Sequence, residues 1–240
     1  MNNIYLQRLK KIFFFQLYLV KIKYFYYSFF PKKKIIIHNT SIHLANTGNL
    51  YYDRPSIELS AYKHLSNFRE IEVLKKEIFS NGTCIDIGAN IGFFSLLLLK
   101  KICINGFLFS FEKNNIIFNL LKKNLKNFKN IKLYHGEVGI KKNQIIVDKI
   151  IKKKIDFIKI DLDGLDLLAL KSCKKIIGRY KPKILIELSE NSKDAYNIHY
   201  LSVIKFLKKY SYSFYDINEY PSKFNRKLSK NEVVNIFCKI

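Results

Sequence analysis

Acidic residues are scarce in this chain, 19 against 43 lysines and arginines over 240 residues, for a net charge of +24. That balance points to an anionic partner. Tryptophan is absent and methionine occurs once, while Lys, Asn, Ile, Phe and Tyr are all abundant. The joint bias fits the codons of an AT-rich genome, a second origin for the charge. Cysteine is sparse as well. Cys84, Cys103, Cys173 and Cys238 lie far apart with no C-x-x-C pair, which excludes a zinc-ligand spacing and a disulfide framework. Buried free thiols and a reducing, cytoplasmic compartment are expected.

Long apolar runs are missing too. A transmembrane helix needs about 20 predominantly apolar residues, and Lys21 and Lys23 interrupt the run that starts at Ile12. No small-residue cleavage site follows it, which argues against a signal peptide. Residues 1–36 read instead as a basic aromatic, helical segment suited to an anionic membrane surface; a helix covering the rest of the chain is the alternative. Residues 37–70 are expected to form a cap or lid, with a strand pair near Ile35–His38 and Ile42–Leu44 and a turn at Asn46–Asn49. Residues 71–240 form the third part. The 48% hydrophobic content supports a folded core.

The organising stretch is Thr83 to Phe94. Cys84–Ile87 reads as a buried strand, Gly88 and Gly92 flank a turn, and an apolar run of helical length follows. In that geometry backbone N–H groups at the helix start face a ligand. Gly88 permits the sharp turn and Gly92 close helix–strand packing. The G-x-G-x-x-G of dinucleotide enzymes is absent. Asp86 and Asn90 crowd the turn instead, and a carboxylate suits a ligand bearing an ammonium and a sulfonium. Phe107–Glu112 is a second strand, and its terminal acid stands where a ribose offers two hydroxyls.

Asp86-Ile-Gly-Ala-Asn-Ile-Gly92, Ser110-Phe-Glu-Lys113, Lys159-Ile-Asp-Leu-Asp-Gly-Leu-Asp166 and Ile184-Leu-Ile-Glu187 together resemble the FkbM family of S-adenosylmethionine-dependent methyltransferases. The resemblance runs from Glu72 to Glu190. It implies an α/β, Rossmann-like class I methyltransferase fold: a mostly parallel sheet flanked by helices, with a C-terminal antiparallel strand pair and an N-terminal helical extension. It also implies S-adenosylmethionine as cofactor. Asp86, Gly88, Asn90, Gly92 and Glu112 would bind it. Glu137, after the third strand, would meet the adenine amino group or remain a solvated loop acid. Two departures stand out. The segment between Val138 and Asp148 is short, and Asp replaces Glu at 163 and 166, which keeps the carboxylates but shortens their reach.

The rest of the pattern alternates strand and helix, which implies a parallel sheet. Helices are expected near Phe68–Phe79, over Asn115–Phe128 with Ile116, Phe118, Leu121 and Leu125 inward, from Asp166 through Ile177, and near Leu201–Tyr210. Further strands are expected at Ile131–Tyr134, Asp156–Ile160, Lys183–Glu187, Ser213–Asp216 and Val234–Cys238.

Methyl transfer from a sulfonium needs an acceptor held about 3 Å from the methyl carbon and a group to manage one proton. Asp161 and Asp163 are the first candidates, Glu187 the second. Asp166 reads as a helix-start residue, and His135 is a base by chemistry alone. His38, His43, His64 and His199 have no spacing of metal ligands, and no metal is expected. The leading reading is an O-methyltransferase acting on a hydroxyl of a small molecule or glycan. Its alternatives are an inactive binding or scaffold protein and, against the lack of an RNA-binding motif or Asn-Pro-Pro-Tyr turn, an RNA methyltransferase. Nucleic acid is not the expected partner.

Overall fold

Short runs of β-branched and aromatic residues, each followed by an amphipathic segment, fold as the alternation demands. The structure, a computed structural model, describes residues 32–37, 40–49, 52–54, 69–102, 104–190, 196–230 and 232–240, with positions 22, 25, 26 and 29. The chain divides into two units, Met1–Phe68 and Arg69–Ile240.

In the first unit β1 (Lys34–Ile37) pairs antiparallel with β2 (Thr40–His43). The turn after it closes on the buried Asp53, whose carboxylate accepts from the Thr47 N–H at 2.7 Å and the Gly48 N–H at 2.9 Å. Ile22, Phe25, Tyr26 and Phe29 are helical and exposed. The other residues expected in the basic segment before Lys32, His38, and most of the expected cap from Leu50 to Phe68 lie outside the described residues. Among the described residues, no helix is long and apolar enough to cross a membrane.

The second unit runs α1 (Arg69–Glu77), β3 (Thr83–Ile87), α2 (Phe93–Leu97) continued by a π-helical turn (Leu98–Ile102), β4 (Phe107–Glu112), α3 (Asn115–Leu125) and β5 (Ile131–His135). It continues through α4 (Val147–Ile150), β6 (Phe157–Ile160), α5 (Asp166–Ser172), α6 (Lys174–Tyr180), β7 (Lys183–Ser189), α7 (Tyr200–Lys208), β8 (Ser213–Asp216) and β9 (Val233–Lys239). The strands form one sheet in the order β5-β4-β3-β6-β7-β9-β8. Strands β3 to β7 are parallel, and β9 lies antiparallel to both β7 and β8. This is the expected mostly parallel sheet with its antiparallel terminal pair.

Strand alternation sorts side chains by face. Ile85, Phe111, Ile158, Ile160, Ile184 and Ile186 share a core with Val147, Leu170, Ile177 and Leu207 of the helices α4 to α7. The opposite face carries Asp86, Ser110 and Lys159 in one row, because Asp86 is in register with both neighbours. Buried Cys84, Cys173 and Cys238 are free thiols, as expected; Cys103 is outside the described residues.

Two helices differ from the pattern. Helix α3 ends at Leu125 and buries Ile117, Leu121, Asn124 and Leu125, whereas Ile116 is 42% exposed and Phe118 only half-buried. A polar anchor sets its rotation, since Asn124 Nδ2 donates to the Ile91 carbonyl at 2.7 Å. The helix expected from Asp166 through Ile177 breaks at Cys173. Asp148 caps the second piece, accepting from the Lys175 and Ile176 N–H groups at 2.7 and 3.0 Å. At the far end of the sheet, Glu77 binds Lys183 at 2.9 Å, Lys239 at 2.8 Å and the Tyr220 hydroxyl. Burial alone would raise its pKa, but these partners outweigh it and hold the carboxyl near 2.

Candidate active site

The turn after β3 needs glycine for contact reasons. Gly88 has φ +82, and a Cβ there would lie 2.0 Å from the Asp161 carbonyl oxygen. Only a bare Cα lets the end of β3 pass that close to the end of β6. Gly92, at φ +90, would place a Cβ 2.8 Å from Leu121. It therefore lets α2 approach α3, a helix–helix contact rather than the expected helix–strand one.

The turn's N–H groups, expected to face a ligand, close on protein acceptors instead. Those of Gly88 and Ala89 donate to the Phe111 carbonyl at 3.0 and 2.9 Å. Those of Ile91 and Gly92 donate to Asn90 Oδ1 at 2.7 Å and the Ala89 carbonyl at 2.9 Å. Strand β4 runs alongside and supplies the nearest unpaired acceptors. The Asn90 N–H, in a left-handed residue with φ 52, donates to Glu112 Oε2 at 3.0 Å.

What the turn offers a ligand is therefore Glu112. The residue is 9% exposed, and its Oε1 accepts the Asn114 N–H at 2.8 Å. Two backbone donors fix it at the carboxyl end of β4, and each oxygen has lone-pair capacity left. That suits a pair of neighbouring hydroxyls.

Glu137 sits beyond β5, half-buried, with Oε2 accepting from Gln144 Nε2 at 2.9 Å. The short segment after it is closed on itself: the Ile145 N–H bonds the Glu137 carbonyl at 2.8 Å and the Gly139 N–H the Ile145 carbonyl at 3.1 Å. His135, next to Glu112 in register, places Nε2 3.1 Å from the Lys113 carbonyl and stacks on Phe118 with ring centroids 5.0 Å apart.

Asp86 lies deeper than its motif suggests. It is fully buried, and Oδ2 accepts from the Ser95 hydroxyl at 2.6 Å. That uses Ser95's one proton, so the Ser110 hydroxyl, 2.9 Å away, donates to Ser95. Asp86 Oδ1 has no hydrogen bond and faces the Lys159 ammonium at 3.8 Å. Burial raises the Asp86 pKa, and Lys159 opposes the shift. Lys159 in turn donates to Asp161 Oδ2 at 2.9 Å and lies 5.3 Å from the Phe94 ring centre.

The acids after β6 and on β7 converge. Carboxylate oxygens of Asp161, Asp163 and Glu187 all lie within 4.8 Å of one another, a spacing that costs repulsion unless a proton or a cation is shared. Glu187 is pushed up to about 8, by burial first and then by the charges of Asp161, Asp166 and Asp163. At neutral pH it holds a proton. Asp163 is raised by burial and by Asp161. Asp166 knots the turn, accepting the Leu162 and Gly164 N–H groups at 3.0 Å each, and burial lifts it to about 6. A small cavity lined by Asp166, Glu187, Ser189 and Tyr200 adjoins them.

Motif reading missed Lys159, Ser95 and Ser110 as members of this group. For Lys159 a signal exists: two residues before Asp161, which continues the β6 ladder through its N–H bond to the Ile87 carbonyl at 3.1 Å, it falls on Asp161's face by strand alternation.

Residues 132–214 match the model of the family described as Methyltransferase FkbM domain. No curated protein matches the chain. Among solved structures, a protein of Pyrococcus horikoshii assigned as a transferase aligns with TM-score 0.52 at 13% identity, over 92% of this chain and 82% of that one. A fibrillarin/Nop5p complex aligns with TM-score 0.51 at 14% identity, over 87% and 97%. The FkbM methyltransferase of Methylobacillus flagellatus aligns with TM-score 0.49 at 19% identity, over 76% of this chain and 54% of that one.

Proposed function

We propose that this chain is a class I S-adenosylmethionine-dependent methyltransferase, a reading supported by the FkbM-domain match over residues 132–214, and that it methylates a hydroxyl of a small molecule or glycan. The observation that carries the reading is the meeting of Asp161, Asp163 and Glu187 at the carboxyl ends of β6 and β7. Glu187 titrates near 8, close to working pH, as proton-transfer groups do.

S-adenosylmethionine supplies a methyl group already activated by its sulfonium. The residues present fit its nucleoside: Glu112 is fixed with free acceptor capacity for the ribose hydroxyls. Gly88, Asn90 and Gly92 shape the turn that holds Glu112, and Asp86 contributes from beneath. Glu137 is the adenine contact in this reading, through the oxygen opposite the one Gln144 takes. Asp161 and Asp163 orient the acceptor hydroxyl, and Glu187, in the fraction that is ionised as pH approaches 8, takes its proton. Exposed Ile22 and Phe29 support contact of the amino-terminal segment with a membrane surface, where a lipid-linked glycan would be met.

Glu112→Gln is expected to weaken S-adenosylhomocysteine binding by about 1.5–3 kcal/mol, roughly 10- to 150-fold, in calorimetry. Equal affinity would remove the ribose assignment. Incubating the chain with methyl-labelled S-adenosylmethionine and cell extracts tests the acceptor. Label in a glycan or small-molecule fraction, lost in Glu187→Gln, is the expected result; label released only by ribonuclease would replace the reading with RNA methylation.

A further inference from the structure

We propose that Lys159 is a positioning residue of the methyl-transfer site: anchored from below by Asp86, its ammonium holds the Asp161 carboxylate in place at the sheet's rim. The proposal rests on the reading above that Asp161 serves the site. Three observations carry it. First, the lysine is enclosed and the acid is not: their side chains are 12% and 41% exposed, with 2.9 Å between ammonium and carboxylate. One side of Asp161 is therefore clamped while the other stays open to a ligand.

Second, Asp86 is turned inward, toward Lys159. It is fully buried, its Oδ2 is held by Ser95, and its remaining oxygen faces only Lys159. A carboxylate so placed would be costly to bury unless it served a counter-ion. Lys159 is that counter-ion, and the burial of Asp86 fixes where the ammonium sits. Third, Asp161 stands among acids: Asp86 on β3, Asp163 in the turn, Asp166 on α5 and Glu187 on β7, with carboxylate oxygens of Asp163 and Glu187 within 4.8 Å of its own. The Lys159 ammonium at 2.9 Å opposes their repulsion, while Lys113 acts toward Asp163. Without the ammonium, like charges would push the Asp161 carboxylate aside and loosen its hold on the acceptor.

The test is the carboxyl carbon-13 titration of Asp161 in the parent, in Lys159→Met/Asp86→Asn and in Lys159→Arg. The double variant removes the lysine without leaving a lone buried carboxylate. It should raise the proton affinity of Asp161 at least about tenfold, and Lys159→Arg should return it toward the parent value. The acid limb of methyl incorporation into the labelled glycan or small-molecule fraction should move to higher pH in step. An unchanged Asp161 titration in the folded double variant overturns the proposal. If the double variant does not fold, the parent decides: its Lys159 nitrogen-15 signal should follow the Asp161 titration, and a flat signal overturns the pairing. S-adenosylhomocysteine binding to the parent is measured alongside, since its failure would strike the cofactor reading and leave the Asp161 titration intact.

Discussion

Glu187 shows how the site's chemistry draws on stability. Its folded pKa, about 8, lies above the ordinary 4.5, so the native chain binds more protons than the unfolded one between those values. Stability from this group is therefore complete below about pH 4.5 and is lost as pH rises through 8. Glu187→Gln removes the titration. It should match the parent near pH 4.5 and exceed it near pH 9, with a melting temperature higher by about 3 °C or more in thermal denaturation. A difference that is the same at both pH values would mean that Glu187 is not held protonated in the fold. Residue roles were legible to unequal depth. The glycines, Asp86, Glu112 and the acids after β6 declare themselves by motif. That Asp86 points inward to Lys159 does not, because it depends on the register between β3 and β6, set by residues 73 apart in the chain.

Among elements, strands were readable nearly to the residue, since a buried parallel strand is a continuous β-branched or aromatic run. Helix rotation and continuity were not. Helix α3 turns to suit the Asn124 bond to Ile91, and the break at Cys173 is tolerated because α4 lends Asp148 as a cap. Neither contact has a local signature. The cap has a measurable consequence. Asp148→Ala leaves two N–H groups at the start of α6 without their acceptor and should cost about 1–2 kcal/mol, read from urea denaturation. Asp148→Asn should recover part of that, as an uncharged cap. Should Asp148→Ala be as stable as the parent, α6 would be held by its buried Ile176 and Ile177 alone. The short segment after Glu137 belongs to the same scale: its length alone does not show that the fold closes it with Gln144 bonded back to Glu137.

At the scale of the whole molecule, charge is divided by place. Asp86, Glu112, Asp161, Asp163, Asp166 and Glu187 gather around the strand ends, while the chain as a whole carries +24. The acids at the rim favour a cationic ligand there, whereas the net charge disfavours the folded state through long-range repulsion. Salt separates the two effects. At 0.1 M the Debye length is about 10 Å, longer than the 2.9 Å between Lys159 and Asp161 or between Lys183 and Glu77, but shorter than the spacing between charges on opposite sides of a domain. Sodium chloride should therefore weaken the repulsion far more than the pairs. Raising it from 10 mM to 500 mM should raise the melting temperature by several degrees, about 2–4 °C for each kcal/mol of repulsion removed. A fall instead would mean that short-range pairs, the Glu77 clasp foremost, outweigh the net charge in holding the fold together.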